Sequence, residues 1–306
     1  MRILKRIYRP LIALLLRGLS RLAGALPRRL VLWIGEGLGV AAFHLFGSER
    51  RRMIANLTIA FGRSRPRRDL VRIARGCFRS IARSAFETLR LPSMSDEDVC
   101  SLVDADSFGP AEAVLARGKG MLVLAAHIGT WELLAAYLAI RLGRPFHAVG
   151  RRLYFEGYNR SLTDVRRSRG VETVYQDEGA RPALRVLRAN LPLGILADQD
   201  VERLDGVFVD FFGRPAYTPT GPAALARASG AGMVPFFAVW NGRRHRVHVL
   251  PEVELVRTGD KKADDAENTR RWSAVVEDVV RRYPEQWGWF HRRWRSVDAA
   301  LAGEEG

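Results

Sequence analysis

The chain has 306 residues, 47% of them hydrophobic and 27% charged, with a formal net charge of +16. This is a globular composition with ample apolar material for one large domain, or for one domain with an appendage. The two cysteines, Cys77 and Cys100, exclude a disulfide framework and offer no metal-ligand spacing, which suits a reducing compartment.

The charge is unevenly placed. Residues 1–90 carry 20 Lys and Arg against 4 Asp and Glu, whereas the remaining 216 residues carry 29 of each. Such asymmetry points to an anionic surface as partner, a membrane or a nucleic acid, with a solvated arginine-rich face as the plain alternative. The basic residues lie in apolar helical segments and beside no recognition motif, so no nucleic acid is expected. Arginines interrupt the N-terminal apolar run and no small-residue cleavage site follows it, so no export signal is expected either.

In chain order, LIALLLRGLSRLAGAL lies between Pro10 and Pro27, with Arg17 and Arg21 four apart on one helical face. A bilayer core needs about 20 apolar residues. This shorter, twice-charged run fits an interfacial amphipathic helix better than a span. A second apolar run, Leu30 to Phe46, contains Glu36 and three glycines. Ser48 to Gly62 and Arg65 to Leu89 read as helices with basic faces, and the acidic, polar residues 93–107 as a joint. The expected organisation is a basic helical membrane-associating segment, 1–92, followed by an α/β domain, 93–306. Within the second part, strands are expected at 121–126, 145–150, 171–175, 193–197, 233–239 and 245–250. Helices are expected at 109–117, 131–141, 156–168, 180–189, 220–229 and 266–282. That alternation gives an α/β fold class with a mixed central sheet flanked by helices.

Polar residues that follow strands are the candidates for chemistry, because ligands of open α/β sheets commonly bind there. His127 follows the apolar strand MLVLAA directly, and Gly129 and Thr130 lead into a helix that Thr130 can cap. Glu132 falls in its first turn, where the helix dipole favours a carboxylate. On one continuous helix His127 and Glu132 would point roughly 140° apart. With a turn between them, Glu132 can reach the imidazole, fix its tautomer and raise its basicity, as a general base requires. The plainer reading is a histidine that ends a strand and a glutamate that serves the dipole.

Gly150-Arg151-Arg152 ends the next strand and precedes Asn159, Arg166, Arg167 and Arg169. Arginine forks suit an anion, though ordinary surface arginines fit as well. Asp198-Gln199-Asp200 follows the strand LGIL and can bind sugar hydroxyls, anchor an arginine or, least well, hold a metal. Phe211-Phe212-Gly213 leads through Thr218 and Thr220 to a helix N-terminus, a cradle for a phosphate or an acyl chain. PEQWGWFHRRW, 284–294, suits either a membrane interface or burial against the sheet.

The order of these segments, AAHIGTWE, GRR with Asn159, ADQD, FFGRPAYTPTGPAALARASGAGMVPFFAV and PEQWGWFHRRW, resembles the glycerolipid acyltransferase superfamily. Within it the chain is most similar to the lipid A biosynthesis acyltransferases, the Kdo-dependent lauroyl and myristoyl transferases. The resemblance covers essentially the whole chain. It implies transfer of a fatty acyl group from an acyl-[acyl carrier protein] or acyl-CoA donor to a hydroxyl of a glycolipid acceptor, on the cytoplasmic face of a bacterial inner membrane. It implies His127 as general base with Glu132 as its orienting partner. Substrate contacts would fall to Arg151, Arg152, Asn159, Arg166, Asp198, Gln199, Gly213, Thr218 and Thr220. Neither cofactor nor metal is expected. ADQD departs from the histidine-containing acidic turn of the lauroyl enzymes, which keeps phosphatidylinositol-mannoside acyltransferases open as an alternative. A non-enzymatic lipid-binding protein of the membrane surface would need no His–Glu pair.

Overall fold

A computed structural model describes residues 2–153 and 155–297. Residues 298–306 of the expected α/β domain lie outside the described residues, as do the side chains of residues 1–11 and 13 of the expected docking segment.

Four helices come first: α1 (Arg2–Ala25), α2 (Arg28–Leu45), α3 (Gly47–Phe61) and α4 (Arg67–Arg90). Pro27 and Pro66 immediately precede α2 and α4, where a missing N–H costs no ladder bond. The short α5 (Asp96–Ser101) opens on a capping box, in which Ser95 Oγ accepts from the Asp98 N–H and the Asp98 carboxylate from the Ser95 N–H. Alternation then begins with β1 (Val103–Ala105), α6 (Gly109–Ala116), β2 (Met121–Ala125), α7 (Trp131–Leu142), β3 (Phe146–Gly150) and α8 (Glu156–Arg167). It continues through β4 (Val171–Tyr175), α9 (Ala180–Arg188), β5 (Pro192–Leu196), β6 (Gly206–Phe211) and β7 (Arg214–Pro219). The last elements are α10 (Gly221–Ser229), β8 (Gly232–Trp240), β9 (His245–Val249) and α11 (Lys261–Arg282).

Seven strands form one mixed sheet in the order β1-β9-β8-β2-β5-β3-β4. β8, β2, β5, β3 and β4 run parallel, while β9 runs antiparallel to β8. β2 is central and buried along its whole length, as a strand covered on both faces must be. Its side chains alternate between two cores: Leu122 and Leu124 face one, Met121, Val123 and Ala125 the other. The six expected strands all form. Three others were not expected: the three-residue β1, and the β6–β7 hairpin that occupies the place of the expected aromatic loop.

The residues before 93 divide by their contacts. Met53, Leu57 and Phe61 of α3 and Leu70, Ile73 and Cys77 of α4 belong to the same core as the sheet's first face. α2 buries Val31, Leu32 and Phe43, the last in that same core, but α1 and α2 also present Leu14, Leu15, Leu22, Leu30, Trp33 and Leu45 to solvent, Trp33 at 74% exposure. Among the described residues, no single helix is long and apolar enough to cross a membrane; α2 and α3 pass that test only as a pair bent by 90°.

Candidate active site

β2 and β5 are neighbours in parallel register, with Ala125 opposite Leu196. Residues two positions beyond each strand therefore lie side by side at the carboxyl edge, and these are His127 and Asp198. Asp198 Oδ1 accepts from His127 Nδ1 at 2.7 Å, and its Oδ2 accepts from the His127 backbone N–H at 2.9 Å. Trp287 Nε1 donates to the same Oδ2 at 2.7 Å. Asp198 is 1% exposed. Burial pushes its carboxyl upward, yet the charge and hydrogen bonds of His127 and the nearby His291 outweigh burial and hold it well below the usual range. An ionised carboxylate only accepts, so the His127 proton sits on Nδ1 and Nε2 keeps a lone pair.

The turn that carries His127 is shaped by Gly129, at φ +59°. A Cβ there would stand 1.8 Å from the carbonyl oxygen of Ala238, so no other residue fits without moving β8. The chain after α11 closes over this turn. The Gly129 N–H donates to the Gln286 carbonyl and the Gly288 N–H to the His127 carbonyl, each at 2.9 Å. Trp287, Trp289 and Trp294 are buried. Of the two readings of the 284–294 stretch, burial against the sheet is therefore the correct one.

Gln199 lies over the site. Its amide nitrogen is 3.1 and 3.0 Å from the two ring nitrogens of His127 and 2.7 Å from His291 Nε2. A nitrogen nearly equidistant from both ring nitrogens has to lie off the ring plane, because in the plane Cε1 stands between them. Burial and the charge of His127 push the His291 imidazole down to about 4, against the pull of Asp198, so it is neutral near pH 7.

Glu132 does not hold His127. Its two oxygens accept from Arg166 Nε at 2.9 Å and Nη2 at 2.7 Å, a bidentate pair between α7 and α8. Thr130 makes no side-chain cap on α7. Burial works against the Arg166 charge, but Glu132 outweighs it and raises the guanidinium pKa. The pair borders a small cavity of about 40 Å³ between α7 and the sheet, walled by Leu134, Phe146, Ala148, Gly194 and Leu196. Trp131 lines this cavity and packs edge-on against His127, ring centroids 5.2 Å apart.

The remaining candidates scatter. Arg151 is exposed beyond β3. Arg152 is held by Asp177 and Glu178, at 3.1 and 2.8 Å, and lies over the Tyr175 ring. Asn159 is buried and accepts from the Leu153 N–H. Asp198 was expected to contact substrate, but His127 and Trp287 occupy both of its oxygens. The expected cradle at 211–220 is not built. Phe212 and Gly213, at φ +61° and +75°, form the two-residue turn of the β6–β7 hairpin. Thr218 is buried and accepts from Arg293 Nη2 at 2.6 Å, and Thr220 Oγ1 donates to the Asp205 carbonyl rather than capping α10. Trp287 and His291 were missed as site residues. The one signal for them was the histidine inside an otherwise apolar and basic run.

Comparison with known proteins gives one family: the model described as bacterial lipid A biosynthesis acyltransferase matches residues 3–296. The chain is 29% identical to the phosphatidylinositol mannoside acyltransferase of Mycolicibacterium smegmatis over 280 residues, covering 90% of this chain and 88% of that protein. It is 30% identical to the protein of that name from Mycobacterium tuberculosis (strain CDC 1551 / Oshkosh), over 68% of this chain and 66% of that one. It is 25% identical to the lipid A biosynthesis lauroyltransferase of Escherichia coli, over 91% of this chain and 90% of that one.

Proposed function

That the chain belongs to the bacterial lipid A biosynthesis acyltransferase family is the premise from which we propose its reaction: transfer of a fatty acyl chain from a thioester to a hydroxyl of a membrane glycolipid. The observation that carries this reading is the Asp198–His127 pair, which engages Nδ1 and leaves Nε2 as the basic nitrogen. A hydroxyl is too weakly acidic to attack a thioester unaided. His127 takes its proton as the oxygen reaches the carbonyl carbon, and Asp198 holds the tautomer and stabilises the imidazolium that forms. The thiol of the donor leaves with the proton.

Transfer is direct. Cys77 is buried, its thiol pushed up to about 12 chiefly by burial, and it has no acyl-enzyme role. The donor is an acyl carrier protein, whose acidity suits the basic N-terminal third, and the acceptor is a lipid A precursor. The enzyme works on the cytoplasmic face of the inner membrane, held there by the apolar face of α1 and α2. The second reading, a phosphatidylinositol-mannoside acceptor with acyl-CoA, is favoured by the 29% identity to the mycobacterial relative against 25% for the lauroyltransferase.

The test is mass spectrometry of lipids incubated with protein and each donor, with a Kdo-lipid A precursor and a phosphatidylinositol-mannoside in parallel. One added acyl chain identifies the acceptor. His127→Ala abolishes the product, and Asp198→Asn lowers kcat by about 10²–10⁴-fold with little change in KM. Undiminished transfer by His127→Ala would overturn the mechanism.

A further inference from the structure

A second, larger cleft lies at the same carboxyl edge of the sheet as His127, beyond β8. It holds about 970 Å³ between the start of α2 and the β8–β9 turn. Arg28, Arg29, Arg243 and Arg244 line it, together with Trp33 and Trp240. Its two walls are tied to each other and to the body. Arg28 donates to the Glu87 carboxylate, at 2.8 Å from Nε, and to the Arg243 carbonyl at 3.3 Å. Arg244 reaches the Ser101 carbonyl, and the Trp240 ring is flanked by the guanidinium groups of Arg28 and Arg83 at 5.1 and 5.0 Å. Glu36 also borders the cleft, but Arg79 and Arg83 hold its carboxylate at 2.6 and 3.1 Å. Among the described residues, no acidic side chain pairs with the exposed Arg29 or Arg243. No side chain caps α2. The cleft is therefore cationic, with charge left over for a ligand.

Its position says which anion. Leu30 and Trp33 continue from the cleft along α2 into the exposed apolar face that includes Leu38 and Leu45. An apolar face beside basic residues and a tryptophan at the rim matches the layering of a bilayer surface, acyl chains next to phosphates. We propose that this cleft binds the phosphate headgroup of an anionic membrane phospholipid, separate from the glycolipid that reacts at His127. The inference rests on the membrane-surface reading above. Occupancy would seat the start of α2 at the headgroup level and so fix the height of the sheet's carboxyl edge, where His127 lies, above the bilayer.

The test compares the full-length protein with Arg29→Gln/Arg243→Gln, both exposed and unpaired, and with Arg67→Gln/Arg68→Gln. The latter pair lies at the opposite end of α4, roughly 35 Å from Arg90, which contacts the loop before α2. Sedimentation is measured with vesicles of phosphatidylcholine alone and with phosphatidylglycerol added, and acyl transfer in detergent micelles reports folding and the site. The expected result is that the cleft variant loses about tenfold or more of its affinity for phosphatidylglycerol vesicles. The same variant should keep its binding to phosphatidylcholine and its micellar transfer, while the control pair loses much less on the anionic vesicles. An equal loss in the control pair would mean diffuse attraction by net charge and would overturn the cleft. Retained preference in the cleft variant would overturn it too. A raised KM for donor or acceptor in micelles would assign the cleft to a substrate instead. If the unaltered protein binds neither vesicle, the membrane reading itself fails.

Discussion

At the scale of single residues, the site depends on which acid holds His127. The His-x4-Glu spacing allows a contact across a turn, but α7 carries Glu132 toward α8 and Arg166, whereas the parallel neighbour β5 brings Asp198 alongside. Both acids were visible in the sequence; their assignment needed the strand order. His291 gives a prediction with a definite sign. Its native pKa of about 4 lies below the ordinary 6.5. Between those values the unfolded chain binds a proton that the native chain does not, so stability falls as pH drops from 6.5 toward 4. At pH 5 the penalty is about 1–2 kcal/mol. Urea unfolding at pH 7 and pH 5 should show a smaller pH-dependent loss in His291→Gln than in the unaltered protein, and identical losses would remove His291 as the cause.

At the scale of elements, the Glu132–Arg166 pair braces α7 to α8 with side-chain exposures of only 10% and 11%. Removing one partner strands a buried charge, at a cost of about 3–5 kcal/mol, whereas replacing both with apolar residues of similar size is far milder. Thermal unfolding should place Arg166→Met well below the unaltered protein and Glu132→Leu/Arg166→Met between them. A double variant as unstable as the single one would mean that the pair's geometry, rather than charge compensation, matters. The strands with strong apolar runs were legible because burial on both faces demands continuous hydrophobicity. β6 and β7 were not, since their turn is Phe212-Gly213, with Phe212 accepting a left-handed conformation that aromatic residues rarely adopt. β1 is three residues long and has no pattern of its own to read.

At the scale of the whole molecule, the charge asymmetry and the exposed apolar residues of α1 and α2 fall in the same N-terminal region. Their combination predicts membrane association that weakens with salt but persists, because the apolar contribution is not screened. Replacing Leu14, Leu22 and Trp33 together by serine should lower vesicle binding by about tenfold or more at high salt while micellar transfer survives, read by sedimentation. Unchanged binding would locate the anchor elsewhere. α3 and α4 take no part in that face. Asn56 donates to the carbonyls of Trp289 and His291, and the Cys77 thiol to that of Trp287, so they clamp the C-terminal segment that roofs the site.

The sequence alone determined the alternation of strands and helices, the placement of His127 and Asp198 just beyond buried strands, the basic apolar N-terminus and, through the order of its motifs, the family. Each of these is local, written in hydrophobic period, turn residues or composition. It took the packed fold to show that Asp198 rather than Glu132 holds the imidazole and that the tryptophans of 284–294 are core. The fold also decided that Gly213 and Thr218 build a hairpin instead of a cradle. Those outcomes depend on which strands lie side by side and which segment closes over them, and residues 71 or more positions apart become neighbours through packing that no local pattern records.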